Sequence, residues 1–161
     1  MWNLKNKTIV ISGATNGIGK AAAIELSKEN PQLLFTYRNQ DLANELLAEI
    51  KALSPDTQVH SVYCDFSKQD SIKKCADEIN DLCGEIDVLI NNAGVVNTSY
   101  HETSEGIENT FAINHLGYFL FTNLLLHKLK GENETRIVNV SSAAHSFVKK
   151  MQWEDINFKN N

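Results

Sequence analysis

Short β-branched runs alternate along the chain with longer stretches whose apolar residues return every three or four positions. Runs of the first kind suit strands and stretches of the second suit amphipathic helices, so the alternation predicts βαβ units: an α/β fold whose parallel sheet is covered on both faces. The first strand is Thr8-Ile9-Val10-Ile11, apolar without interruption after Thr8, as burial on both faces requires. A helix then begins near Gly17 and stops at Asn30-Pro31, because proline disfavours helical geometry in the residue before it. Residues 33–37 make the second strand. Leu42, Leu46, Ile50 and Leu53 share one face of a second helix, and residues 59–63 read as the third strand. Ile72, Ala76, Ile79 and Leu82 mark a third helix, closed by Gly84 as its C-terminal cap. Residues 86–90 give the fourth strand, residues 103–130 one long helix stopped by Gly131, and residues 136–140 the fifth strand. After Ser142 the pattern turns irregular. No repeat or low-complexity linker interrupts the 161 residues, which read as a single domain.

Composition narrows the function classes. A formal charge of −5 without any Lys/Arg-rich stretch excludes a nucleic-acid footprint, which phosphate neutralisation would demand. No apolar run approaches the roughly 18 residues of a membrane span. The longest candidate, residues 118–126, is broken by Thr122 and Asn123. The chain enters a strand almost directly after Met1, leaving no room for a signal peptide, so a cytoplasmic location is expected. Cys64, Cys75 and Cys83 lack metal-type spacing and the five histidines are scattered singly, so no metal site is expected.

Chemistry concentrates between the first strand and first helix, in Ser12-Gly13-Ala14-Thr15-Asn16-Gly17-Ile18-Gly19. Glycines let the backbone turn sharply and approach a pyrophosphate, which then sits on the free N–H groups at a helix start. A plain tight turn would use the same glycines, but the strand–turn–helix context is the one that dinucleotide binding needs. About 20 residues past such a loop an acid reads a ribose 2′-hydroxyl, or an arginine a 2′-phosphate. Here the second strand ends Tyr37-Arg38-Asn39; the acid is absent and Arg38 stands in its place, favouring NADP(H) over NAD(H). Lys20 is either a further positive charge at the site or an exposed helix residue.

Four segments in this order, Ser12 to Gly19, then Asn91-Asn92-Ala93-Gly94, then Asn114, then Val138-Asn139-Val140-Ser141-Ser142, resemble the short-chain dehydrogenase/reductase family. The match spans nearly the whole chain, with Ser12 where the family usually has Thr. Ser141-Ser142-Ala143-Ala144-His145, followed by Trp153-Glu154-Asp155-Ile156-Asn157-Phe158, is similar to its retinol-dehydrogenase-like branch. The resemblance implies a Rossmann-type doubly wound parallel sheet of strand order 3-2-1-4-5. It implies that Gly13, Thr15, Asn16, Gly17, Ile18, Gly19 and Arg38 hold the cofactor. Asp65 would border the adenine ring, a position where Asp also serves as a helix cap. Asn91, Ala93 and Gly94 would line the nicotinamide-side ribose. Asn114 would distort its helix and hold a water for a proton relay, and Ser142 would hydrogen-bond the substrate oxygen, with Ser141 structural.

In that family a tyrosine with a lysine four residues on supplies the proton that accompanies hydride transfer. Tyr37, Tyr63, Tyr100 and Tyr118 are followed four on by Asp41, Ser67, Ser104 and Thr122, so the chain holds no such pair. Family members carry it soon after the position of Asn161, so an N-terminal part is expected, truncated before the later strands and before the helix that would cover the fifth strand. A bare sheet edge and marginal behaviour in isolation are expected to follow. Two functions stay open: an NADP(H)-dependent oxidoreductase interconverting an apolar alcohol and a carbonyl compound, or a catalytically inactive, truncated NADP(H)-binding module. The family's dimers further imply a homo-oligomer in the full-length form.

Overall fold

The computed structural model describes residues 3–129 and 134–160. Five strands, β1 (Thr8–Ile11), β2 (Gln32–Tyr37), β3 (Gln58–Tyr63), β4 (Val88–Asn91) and β5 (Arg136–Asn139), form one parallel sheet. Its order is β3-β2-β1-β4-β5, so the Rossmann-type topology expected above is the one observed.

Period-two alternation along the strands distributes the core between two faces. Ile9, Ile11, Leu33 and Phe35 point to one face and pack with Ala23 of α1 (Gly17–Ser27) and with Ala43, Leu46 and Ile50 of α2 (Gln40–Leu53). Val10, Leu34, Val62 and Leu89 point to the other, against Ile72, Ala76 and Ile79 of α3 (Gln69–Leu82) and the fully buried Phe121 and Leu125. Phe66 and Phe121 meet edge to face at 5.4 Å, joining the end of β3 to this second layer.

Several details depart from the sequence reading, among them the fourth strand, which starts at Val88 and not at Ile86. The long helix begins at Asn109, as α4 (Asn109–Phe111), not at residue 103. Glu108 decides this start, because its carboxylate accepts from the Thr110 and Phe111 amides at 2.8 and 2.7 Å. Residues 103–107 instead close a turn through Thr103 N–H to the Ile107 carbonyl, with Gly106 in the left-handed region at φ +75°. After α4 the chain passes through one π-helical turn (Ala112–Leu116) into α5 (Gly117–Leu125). Turns follow to Leu129; Lys130 and the expected stop Gly131 lie outside the described residues. The third helix ends at Leu82, the last residue of its apolar face, but Gly84 does not take the left-handed conformation of a glycine cap. Cys83 is already extended, and Lys128 Nζ reaches across to donate to the Asn80 and Cys83 carbonyls at 3.0 and 2.8 Å, so a distant lysine supplies the cap. The first helix stops at Ser27, three residues early, and Asn30 takes the left-handed conformation at φ +53° before Pro31.

The sheet is uneven. All of β1 is buried, whereas all four residues of β5 are exposed, Ile137 at 44% and Val138 at 45%. Beyond it Phe147 and Trp153 are exposed at 85% and 75%.

Candidate functional site

The carboxyl ends of the strands open onto a cleft of about 1040 Å³, where a doubly wound sheet takes its ligands. One wall is the turn from β1 into α1. Gly13 sits at φ +67°, and a Cβ there would lie 2.6 Å from the Ala93 Cα, so the turn presses directly on the loop after β4. A Cβ on Gly19 would strike both the Asn92 side-chain nitrogen and the Gly13 carbonyl. Hydrogen bonds lock the contact: Asn92 Nδ2 donates to the Ser12 and Gly13 carbonyls at 3.0 and 2.9 Å, and Ser12 Oγ accepts from the Asn92 and Ala93 amides at 2.9 and 3.0 Å. Thr36 Oγ1 of β2 accepts from Gly13 N–H at 3.1 Å. At the start of α1, Asn16 makes no side-chain cap bond and no acid occupies the first turn. The first-turn amides and the positive end of the helix dipole are thus directed at the cleft without an internal anion.

Of the residues singled out above, Gly13, Thr15, Asn16, Gly17, Ile18, Gly19, Arg38, Ala93, Gly94, Asn114 and Ser142 all border this one cleft. Arg38 lies exposed at the end of β2. Its neighbour Asn39 caps α2, accepting from the Asp41 and Leu42 amides at 2.9 and 3.2 Å. Lys20 is turned away into an ion pair with Glu49 at 2.8 Å, a hydrogen bond that raises its pKa. Asn114 stands in the π-helical turn, where its side chain mimics a strand edge: Oδ1 accepts from Val95 N–H at 2.9 Å and Nδ2 donates to the Val95 carbonyl at 2.8 Å. Ser142 Oγ accepts from Ala144 N–H at 3.1 Å at the start of a short 3₁₀ turn (Ala143–Phe147), at the exposed end of the cleft.

Asp65 and Asn91 stand behind the wall. Asp65 is buried, and its Oδ1 accepts from the Ser67 hydroxyl and amide at 2.7 and 3.1 Å. Burial pushes its carboxyl up, but the two Ser67 bonds, with Lys68 and Arg38 nearby, outweigh this and hold it below the usual carboxylate range. Asn91 points across the sheet towards α5. Its neighbour Asn92 is the residue that joins the two loops, and the sequence reading had given it no role; its polarity at a strand end facing the glycines was the available signal. Cys64, Phe66 and Ile113 also border the cleft and were not foreseen. Tyr118 is a further bordering residue, its phenol pushed up to about 12 by burial.

A family model described as short chain dehydrogenase matches residues 7–153. The chain belongs to the short-chain dehydrogenase family. Among curated members of this oxidoreductase family it is 35% identical to human retinol dehydrogenase 13 over 97% of its own length and 47% of the relative's. It is 39% identical to human retinol dehydrogenase 11 over 88% of its length and 45% of the relative's. A chloroplastic short-chain dehydrogenase TIC 32 A of Brassica napus is 36% identical over 89% and 46% of the two chains. The chain thus spans about half the length of the curated relatives it matches. Among solved structures, a Mycobacterium paratuberculosis protein superposes with a TM-score of 0.83 at 31% identity, covering 99% of this chain and 54% of that one. A metagenomic short-chain oxidoreductase in complex with NADP superposes at 0.77 with 27% identity, covering 89% and 65%. Among the described residues no helix is long and apolar enough to cross a membrane.

Proposed function

We propose that this chain carries the cofactor-binding part of an NADP(H)-dependent oxidoreductase that interconverts an apolar alcohol and a carbonyl compound. The observation that supports the reading most is that the glycine turn, Arg38, Asn114 and Ser142 border one cleft. The residues fit a dinucleotide. Gly13 and Gly19 leave a backbone groove that a Cβ would fill, and the start of α1 offers unclaimed amides to a pyrophosphate. Arg38 is the charge for a 2′-phosphate, and the NADP complex of a family member supports that choice over NAD(H). When bound, the cofactor supplies or accepts hydride. Ala93 and Gly94 would shape the nicotinamide end, the Asn114 side chain holds the adjoining loop through Val95, and Ser142 would donate to the substrate oxygen. Retinol dehydrogenases among the relatives support an apolar substrate. A single nucleotide-binding domain, a cytoplasmic location and a homo-oligomer belong to the same proposal. Three buried, unpaired cysteines support the reducing compartment, and Phe119 and Leu126, exposed on and just beyond α5, support the association.

The alternative reading is a binding module without turnover. One titration tests the cofactor claim. NADPH should bind more tightly than NADH, and Arg38→Ala should weaken NADPH about ten- to a hundredfold while leaving NADH unchanged, as expected for a charge-assisted hydrogen bond. Equal losses for both would remove Arg38 from the 2′-phosphate. Carbonyl reduction above background separates the enzyme from the module.

A further inference from the structure

Asn91 is fully buried and ties three elements together. In the parallel register it stands directly beside Asn139 of β5. Its Nδ2 donates to Asn139 Oδ1 at 2.8 Å and to Thr122 Oγ1 of α5 at 2.9 Å, and its carbonyl accepts from Val140 N–H at 2.8 Å. The next residue along the chain, Asn92, opens the loop latched to Ser12, while two residues beyond Val140 comes Ser142. Asn91 is therefore the last point that both walls of the cleft share.

Thr122 is the rigid partner in this cluster. It adjoins Phe121, fixed in the core, whereas Asn139 sits on an exposed strand that few apolar contacts hold. Asn91 Oδ1 has no partner among the described residues, so its two N–H bonds alone orient the carboxamide.

We propose that Thr122 is a positioning residue, fixing the Asn91 carboxamide and through it the spacing between residues 92–94 and Ser142. This rests on the reading of the cleft as an NADP(H) site. The test compares Thr122→Val, which keeps the shape and loses the acceptor, with Thr122→Ser, which keeps the hydroxyl. Leaving a buried amide donor unpaired should lower hydrogen-exchange protection of the Asn92, Ala93 and Val140 amides together, by about ten- to a hundredfold, with β1 unaffected. The emission of bound NADPH, which reports the nicotinamide environment, should shift as well, and Thr122→Ser should restore both. Loss confined to one loop, loss spread equally over β1, or an unchanged emission from bound NADPH would overturn the proposal. If the unsubstituted protein binds no NADPH, the functional reading fails, and coupled or uncoupled exchange at the two loops still upholds or overturns the link. Should Thr122→Val not fold, Asn139→Ala removes the other acceptor from an exposed position and must loosen the same amides.

Discussion

The two ends of the cleft are built by different physics. At the β1 end, buried strands and backbone contacts close enough to exclude a Cβ leave the glycine turn one arrangement. At the β5 end the strand is exposed along its length, and the described bonds that fix it come from backbone pairing with β4 and from the Asn91 carboxamide. Packing determines the first end, since a dense interior transmits any change in volume. Local hydrogen bonds determine the second, and these open more readily.

The largest effect that would sharpen this contrast is a cavity in the layer that both ends lean on. Phe121→Ala, at a fully buried ring stacked edge to face on Phe66, should cost about 3–5 kcal/mol in urea unfolding. A cost under about 1 kcal/mol would mean that this layer is not a packed core. Next comes Gly19→Ala, whose methyl displaces the Asn92 amide from two carbonyls. NADPH affinity should fall about ten- to a hundredfold, the equivalent of the lost bonds, and unchanged affinity by titration would break the claim that close packing shapes this end. A smaller effect belongs to Asp65. Its pKa is held down in the folded state, so its contribution to stability is complete above the unfolded value of about 3.9 and disappears as pH falls through the lower folded value. The difference in urea midpoint between the protein and Asp65→Asn should therefore shrink from pH 5 towards pH 2, and a constant difference would assign the residue a packing role alone. Smallest of all, Val138→Ala on β5 should change stability by no more than about 0.5 kcal/mol. A core-sized loss there would erase the distinction between the two ends.

The same contrast explains what the amino-acid pattern could convey. The first two strands are legible because burial on both faces leaves the unbroken apolar runs Ile9 to Ile11 and Leu33 to Phe35, and the glycine turn is legible because a left-handed φ at Gly13 needs glycine. Features made by residues distant in sequence were not. Lys128 capping α3 from 45 residues beyond Cys83, or Asn92 bracing Gly13 from 79 residues beyond it, leaves no local periodicity to detect. The helix start at Asn109 was masked because Glu108 is not one of the preferred capping residue types, whereas Thr103 upstream is. A distortion at Asn114 was implied by the family resemblance alone, because a single Asn in a helix has no unique local meaning, and its form as a π-helical turn was not legible.

The cap at Asn39 makes the nucleotide preference of this cleft cheap to re-tune. Aspartate caps a helix as well as asparagine does, so Asn39→Asp would leave α2 intact while setting a full negative charge one residue from Arg38. A carboxylate there would repel a 2′-phosphate and welcome a 2′-hydroxyl. On the NADP(H) reading proposed above, the route towards NAD(H) is one amide exchanged for a carboxylate on a side chain already fixed by the α2 amides.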